Sequence, residues 1–469
     1  MVFSSLPFLF LFVPAFFLIY ALVPARWRNG ILLLGSLAFY AYGAWETPVH
    51  MLLLLAAIVV NWRLGLHLGY GQPGRKPLLI LGIIYNAGWL VVFKYAGFFR
   101  DNLFSLWGAV SGQSLPDRRW ELVLPLGISF YTFQILSYLI DVYRQKMPPE
   151  SSLLRFGLYV SLFSKLTSGP LASYASLSQP LRERKLSWAQ ADRGARLFVL
   201  GLGLKVLVAN RIGSLWSDIA AIGYEGISTP LAWMGAVGYS LQLYFDFYGY
   251  SLMAMGLGEV LGLPLPENFS DPYLSLSMTE FWRRWHITLG AWFREYIYIP
   301  LGGSRNGMAK TIRNLLVVWL LTGFWHGASW NFLLWGLLLF VLMLLERLGL
   351  KRQLERRPVL GHLYMIFLIP LSWMLFAITD LQQLGIYFSR LFPLNGSWAG
   401  IMAGDWLKYG RLYGVLLLIG IFLCLPWAKR LWKKLDKSPL SIPILLAIFW
   451  GAIYCLYRGL NDPFLYFRY

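Results

Sequence analysis

Long apolar runs separated by short polar segments repeat along almost the whole chain. A helix needs about 20 mostly apolar residues to cross a membrane, and fewer where the bilayer is locally thin. Such runs lie at 6–24, 31–45, 49–66, 78–97, 122–142, 194–212, 231–258, 312–326, 330–348, 361–379, 411–428 and 441–458. The pattern predicts an all-α, polytopic transmembrane protein with about 11–13 spans.

Two segments do not fit an ordinary span. The stretch 153–172 contains SLFSKLTSGPLASY, which is polar and broken, and the stretch 272–303 mixes many aromatic residues with charges. Irregular backbone at membrane depth is tolerated where it is buried in protein or lines a cavity. We therefore expect re-entrant or interfacial elements at both places. We also expect long surface loops at 98–121 and 380–410.

Composition and charge agree with a membrane protein. Only 13% of the 469 residues are charged, whereas soluble domains carry about 25%. The net charge of +19 would suggest nucleic acid in a soluble protein. Here the basic residues lie in short loops between apolar runs, which is the pattern of cytoplasmic loops. If the basic loop 429–437 is cytoplasmic, the C-terminal tail lies on the external face.

No soluble domain, internal repeat or low-complexity tract interrupts the apolar runs. We therefore expect one membrane-embedded domain over residues 1–469. Its N-terminal helices would occupy 1–150, its core 231–348, and its C-terminal helices and external tail 361–469.

Two of the five histidines stand inside aromatic, apolar surroundings: His326 in LLTGFWHGASWNFLLWG and His286 in EFWRRWHITLGAWF. An ionisable residue in an apolar run marks a functional site by default, and imidazole moves protons near neutral pH. For His326, a general base and a hydrogen-bonded bridge between helices are equally supported. For His286, a membrane anchor is favoured over a role in binding. The topology puts the two histidines at different depths of one path.

Other polar residues have both a structural and a functional interpretation. Asp246 in LQLYFDFYGYS either forms a buried ion pair or orients a histidine. Arg283 and Arg284 either anchor the protein at the interface or hold the phosphates of an anionic donor. Tyr469 belongs to an aromatic belt or carries an acyl group on an external tail. Nucleotide-binding, serine hydrolase and metal-binding motifs are lacking in the sequence, and we expect no metal.

An ordered set of motifs carries a family resemblance. It comprises LQLYFDFYGYSLMAMGLG, LPENFSDPY, MTEFWRRWHITLGAWFREYIYIPLGG, LTGFWHGASWNFLLWG and the terminal PFLYFRY. Together these motifs resemble the membrane-bound O-acyltransferases (MBOAT), and among them a bacterial branch that serves alginate O-acetylation. The resemblance implies a helical fold that encloses a tunnel. It also implies that His326 is the catalytic histidine and that His286 is the second polar position of the site.

The implied activity is transfer of an acetyl group from cytoplasmic acetyl-CoA, across a bacterial inner membrane, for O-acetylation of an extracytoplasmic polysaccharide. Arg283 and Arg284, with Trp285 beside them, would bind the donor, and Asp246 and Asn331 would support the site. A periplasmic esterase-like protein would complete the transfer, with membrane lipid and the polysaccharide as the other partners. An alginate-like acceptor is favoured over peptidoglycan, cellulose or teichoic acid. A secondary transporter and a non-catalytic scaffold for glycan assembly are the alternatives of other classes.

Overall fold

The computed structural model describes residues 2–69, 74–112, 122–393 and 404–459. Within these ranges the chain is helical, and its β-structure consists of an isolated bridge between Phe269 and Trp285. The first helices are α1 (Val13–Leu22), α2 (Arg28–Gly43), α3 (Val49–His67), α4 (Arg75–Ser111), α5 (Ile128–Tyr143), α6 (Leu153–Ser161), α7 (Phe163–Leu166), α8 (Tyr174–Arg182), α9 (Trp188–Gly203) and α10 (Asn210–Ile222). The remaining helices are α11 (Thr229–Val260), α12 (Met278–Arg284), α13 (Ile287–Phe293), α14 (Met308–His326), α15 (Trp330–Leu345), α16 (Lys351–Arg356), α17 (Pro358–Ala377), α18 (Leu381–Leu391), α19 (Asp405–Cys424), α20 (Pro426–Leu435) and α21 (Ser441–Tyr457).

Several helices are long and apolar enough to cross a membrane. Among the described residues there are six: Val49–His67, Arg75–Ser111, Trp188–Ile222, Trp330–Arg356, Pro358–Ala377 and Asp405–Cys424. Two of these are composite, because π-helical turns join α9 to α10 and α15 to α16. Shorter apolar helices follow the same pattern at Phe8–Leu22 and Ser441–Tyr457. The prediction of an all-α, polytopic membrane protein is confirmed, while the count of 11–13 spans and the tunnel stay predictions.

The chain forms two compact units. The first comprises the described residues of Met1–Gly194 together with Leu257–Pro266. In it α2 and α3 pack against α6, and α4 packs against α5. A cluster of phenylalanine rings from the N-terminal helices and α7 fills part of this core: Phe3, Phe8, Phe12, Phe16, Phe39 and Phe163.

The second unit comprises Ala195–Gly256 and the described residues of Glu267–Tyr469. Its centre is the antiparallel pair α14 and α15, with α17 packed against α15. Two glycines allow the pair to approach closely. A Cβ on Gly323 would lie 2.3 Å from the carbonyl oxygen of Phe332, and one on Gly336 would lie 2.5 Å from that of Trp319. Small residues at these two positions let the helix backbones touch.

The two segments that were predicted to be irregular are broken helices. In the first unit, α6 ends at Ser161, and Leu162 leaves the helical conformation before α7 begins. In the second unit, α12 ends at Arg284, and His286 adopts a left-handed conformation before α13. The backbone therefore turns at both places where polar residues interrupt the apolar pattern.

The prediction of long surface loops was wrong for part of each segment. Residues 98–111 continue α4, which is 37 residues long, and residues 381–391 form α18. The helix α4 ends where Gly112 takes a φ of +69°, which is a common way for a helix to stop. α18 begins where the side chain of Asp380 accepts a hydrogen bond from the backbone N–H of Gln383. Residues 405–410 belong to α19, and residues 113–121 and 394–403 lie outside the described residues.

Candidate active site

His326 is the last residue of α14 and lies in an aromatic box. Its ring centroid is 5.1 Å from those of Trp335 and Phe376, and both contacts are nearly perpendicular. The neighbouring Trp325 contributes a third ring at 4.8 Å. The His326 side chain is buried, with a residue exposure of 6%. An imidazole in such a box has a restricted orientation and little access to bulk water, which suits controlled proton transfer.

Asn331 fixes one wall of this box. It is fully buried at the start of α15, and its side-chain N–H group donates to the carbonyl oxygens of Leu375 at 2.9 Å and Phe376 at 3.3 Å. These carbonyls belong to the last turn of α17, where helical partners run out. Asn331 therefore ties α15 to the end of α17 and holds Phe376 against His326. The predicted support of the site by Asn331 stays a prediction.

Two tryptophans of the aromatic cluster that contains His326 have buried indole N–H groups. The Nε1 atoms of Trp282 and Trp335 are buried and meet no hydrogen-bond acceptor within the described part of the chain. The rings of these two tryptophans are 5.4 Å apart, and Trp335 is in contact with His326. A buried donor without an acceptor costs about 1–3 kcal/mol. The arrangement can therefore offer hydrogen bonds to a carbonyl oxygen bound next to the histidine.

His286 is held by a different set of contacts. Its Nδ1 lies 3.1 Å from Oδ1 of Asn268, and the same oxygen accepts hydrogen bonds from the hydroxyl and the backbone N–H of Thr288. Because that oxygen can only accept, Nδ1 must donate, and Nε2 is the basic nitrogen of the neutral ring. The φ of His286 is +46°, an uncommon conformation that suits a position fixed by its surroundings.

Both histidines lie against one indole. The ring of His286 is 6.4 Å from that of Trp325 and 4.7 Å from that of Phe247 on α11. Trp325 directly precedes His326 and also contacts its ring. The structure therefore brings the two predicted histidines together around Trp325. Their different depths in the membrane stay a prediction.

The three residues predicted to bind the donor have different surroundings. Arg283 is exposed. Arg284 pairs with Glu280 at 2.5 Å, with both side chains partly exposed. Trp285 is buried among aromatic rings, stacked on Phe281 at 5.4 Å. Arg283 is therefore the most available for an anionic ligand, whereas Trp285 is a packing residue. Donor binding by the three stays a prediction.

Asp246 forms a buried ion pair with a lysine. Its Oδ1 lies 2.8 Å from Nζ of Lys205, and both side chains are essentially inaccessible. Lys205 also donates to Oδ1 of Asn210 at 2.9 Å. It lies on the π-helical turn that joins α9 to α10. This contact of Asp246 agrees with the ion-pair interpretation. The other predicted site residue, Tyr469, lies outside the described residues.

Sequence reasoning missed Asn268 and Lys205. Asn268 occurs in LPENFSDPY, 18 residues before the histidine that it holds, and Lys205 occurs in GLGLKVLVANR. The signal for Lys205 was available, because a lysine inside the apolar run 194–212 requires a partner just as Asp246 does. No comparable signal pointed to Asn268, because asparagine is a common residue in turns and proline-rich loops. No group of three or more His, Cys, Asp or Glu side chains in the described ranges could hold a metal ion.

Comparisons with known proteins show the family to which the chain belongs. The sequence model of the membrane-bound O-acyltransferase family matches residues 31–353. The probable alginate O-acetylase AlgI of Pseudomonas aeruginosa is 38% identical over 403 residues, which cover 85% of this chain and 76% of the relative. The protein of the same name from Pseudomonas putida is 34% identical over 100% of both chains. A peptidoglycan O-acetyltransferase of Helicobacter pylori is 34% identical over 84% of this chain and 80% of the relative. With a family match over most of its length and relatives of this similarity, the chain belongs to the membrane-bound O-acyltransferase family and is a membrane acyltransferase.

Proposed function

We propose that this protein takes acetyl groups from cytoplasmic acetyl-CoA and passes them across the bacterial inner membrane for O-acetylation of an extracytoplasmic polysaccharide, with His326 as the general base. The observation that carries the proposal is the buried imidazole of His326, walled by Trp335 and Phe376. Family membership favours acyl transfer over the transporter and scaffold alternatives.

The chemistry requires a base because the attacking hydroxyl, the phenol of the proposed carrier Tyr469 or that of a sugar, has a high pKa and is a weak nucleophile. As the hydroxyl oxygen bonds to the thioester carbonyl carbon, its proton passes to the imidazole of His326. The carbonyl oxygen becomes negative in the tetrahedral intermediate. Collapse of the intermediate re-forms the carbonyl and breaks the carbon–sulfur bond. The proton on His326 then goes to the departing thiolate, which restores the neutral base.

The surroundings of His326 supply the other requirements of this reaction. The indole N–H of Trp335 provides a buried donor for the developing oxyanion, and such donors stabilise the transition state more than the ground state. Asn331 holds the Phe376 wall through the end of α17. His286, with its basic Nε2, is assigned to donor positioning or to a second proton transfer.

The donor and the partner follow from the location of each substrate. CoA is anionic and cytosolic, so Arg283 and Arg284 are assigned to its phosphates. The acceptor polysaccharide is external, and a periplasmic esterase-like protein would complete the transfer. Tyr469, on a tail that the charge pattern puts outside, is assigned as an acyl carrier for this partner.

An alginate-like exopolysaccharide is the favoured acceptor, because two relatives at 38% and 34% identity bear the name alginate O-acetylase. Peptidoglycan is the second candidate, since the Helicobacter pylori relative is named a peptidoglycan O-acetyltransferase. Both acceptors present sugar hydroxyls outside the membrane, so the chemistry at His326 is the same.

The test is acetyl transfer from radiolabelled acetyl-CoA by purified protein in detergent, with CoA release and protein-bound label as readouts. Wild type should release CoA, and His326→Ala should lower the rate by at least about 1,000-fold. Tyr469→Phe should retain no label, because it lacks the phenol that is assigned as the acyl carrier. His362→Ala is the matched control, because His362 is an exposed histidine on α17, and it should behave as wild type.

In a second experiment, the candidate acceptor and the candidate partner protein are added to the assay. Alginate oligosaccharide or peptidoglycan fragments, each with the candidate periplasmic protein, should raise CoA release by wild type if the acceptor is correct. If well-folded wild type releases no CoA with any of these additions, the proposal that acetyl-CoA is the donor fails. If His326→Ala releases CoA as fast as His362→Ala, the assignment of the base fails.

A further inference from the structure

A fully buried lysine lies in the first unit, apart from the residues assigned to acyl transfer. Lys165 on α7 has no exposed surface. Its Nζ donates to Oε1 of Gln134 at 2.6 Å and lies 3.9 Å from the ring centroid of Tyr159. Within the described residues Lys165 forms no ion pair with a carboxylate. A buried ammonium normally requires an anion, because desolvation of an uncompensated charge is costly.

The surroundings of this ammonium add further hydrogen-bond donors. Since Nζ can only donate, it is the oxygen of the Gln134 amide that faces Lys165, and the Nε2 group remains as a second donor. That Nε2 atom is buried and meets no acceptor in the described part of the chain, and the same holds for the hydroxyl of Ser164. The ammonium of Lys165 and the amide of Gln134 thus form a pair that is rich in donors, and Ser164, the residue before Lys165, carries a further buried hydroxyl.

The backbone holds this group in place. The break at Leu162 sets α7 at an angle to α6, and the backbone N–H of Phe163 donates to the hydroxyl of Ser36 at 3.2 Å. A Cβ on Gly169 would lie 2.5 Å from Cα of Lys165 and 2.7 Å from the carbonyl oxygen of Ser164. Only a glycine allows the following loop to close so tightly over the lysine. The donors are therefore preorganised.

We propose that Lys165, Gln134 and Ser164 form a buried binding site for an oxyanion, either a free anion such as phosphate or the phosphate of a lipid headgroup. An oxyanion supplies the negative charge that the ammonium lacks, and its oxygen atoms accept the N–H and O–H bonds. The three residues are not among those assigned to acyl transfer, so this proposal does not depend on that one.

The experiment measures binding of radiolabelled inorganic phosphate to the full chain in detergent by equilibrium dialysis. A second arm measures retention of phosphatidylglycerol by native mass spectrometry after incubation with vesicles of that lipid. Wild type should bind about one equivalent of one probe. Lys165→Met should lower the affinity by about tenfold or more. Lys310→Met removes an exposed lysine and controls for non-specific attraction to a chain of charge +19.

Gln134→Glu keeps the proposal testable if Lys165→Met does not fold. The new carboxylate would pair with Lys165, so this variant should lose the probe while its thermal midpoint is equal to or above that of wild type. Binding of phosphate alone identifies a free anion, and binding of the lipid alone identifies a headgroup. If neither probe binds saturably, or if Gln134→Glu binds as wild type does, the site is not an oxyanion site.

Discussion

Single residues around His326 have separable tasks, and Trp335 is the one that can be tested most simply. Its ring packs on the imidazole, and its indole N–H is buried without an acceptor in the described ranges. Trp335→Phe keeps an aromatic ring and removes the donor. We expect kcat to fall by about 10–100-fold with a smaller change in KM, measured as CoA release. An equal rise in KM with unchanged kcat would mean that Trp335 binds the ground state only.

His286 combines a side-chain role with an unusual backbone conformation. At a φ of +46°, glycine is favoured over alanine by about 1 kcal/mol. His286→Gly should therefore unfold at a higher temperature than His286→Ala, although both lose the hydrogen bond to Asn268. The measurement is the thermal midpoint in detergent, with CoA release recorded for each variant. If the alanine variant is the more stable, the left-handed conformation is not maintained without the imidazole.

How much of the site the sequence predicts depends on how far apart the contacting residues lie along the chain. His326, Trp335 and Asn331 lie within ten residues on α14 and α15, so the motif around His326 contains most of its box. Phe376 and Asn268 come from distant segments. No periodicity within one helix reveals which loop folds back on it, and only the tertiary structure adds these two residues.

Buried charges join whole elements to one another. One such ion pair joins α11 to the π-helical turn that follows α9. The Lys205–Asp246 pair is inaccessible to solvent, and removal of one partner leaves the other charge uncompensated. Lys205→Met and Asp246→Leu should each cost about 3–5 kcal/mol of stability, and the double variant should lose much less than the sum. Thermal midpoints of the four proteins test this. Additive losses would show that the two charges do not stabilise each other.

A second buried carboxylate joins elements of the first unit. Glu150, between α5 and α6, accepts hydrogen bonds from Arg155, Tyr174 and the backbone N–H of Ser152. Burial raises the pKa of this carboxyl group, but the hydrogen bonds from Arg155, Tyr174 and Ser152 outweigh it, so that the pKa lies below its ordinary value. The folded state therefore favours the ionised form.

This lowered pKa predicts an acid-dependent loss of stability. The contribution of Glu150 is complete above the unfolded-state pKa of about 4.3 and is lost as the pH falls through the lower folded-state value. The thermal midpoint of wild type should exceed that of Glu150→Gln at pH 6, and the gap should narrow below about pH 4. Glu46→Gln changes an exposed residue, so its thermal midpoint should equal that of wild type at both pH values. A gap that widens in acid would contradict the sign of the shift.

Apolar periodicity predicted most helices but not their breaks or full lengths. The run 78–97 belongs to a helix that continues to Ser111, because residues 98–111 contain no proline that would stop it. The stretch 153–172 was recognised as irregular from its polarity, yet only the structure shows the single-residue break at Leu162. Such breaks depend on tertiary contacts, here with Ser36.

At the scale of the whole molecule, the distribution of charge decides on which side of the membrane each loop lies. The helix α20 carries Lys429, Arg430, Lys433 and Lys434, and it lies between the two apolar helices α19 and α21. Basic segments next to spans remain in the cytoplasm. If α20 is cytoplasmic and α21 crosses the membrane, we predict that the tail lies outside, where the proposed acyl carrier Tyr469 is needed.

Cysteine labelling tests this orientation, since the chain contains only Cys424 and Cys455. Both are replaced by serine, and Ser438→Cys or Asn461→Cys is then introduced on either side of α21. In intact spheroplasts a membrane-impermeant maleimide should label the Asn461→Cys protein, whereas the Ser438→Cys protein should react only after permeabilisation. The reverse pattern would put the tail in the cytoplasm. Tyr469 could then not meet an external partner, and the acetyl group would have to leave the membrane by another route even if His326 were the base.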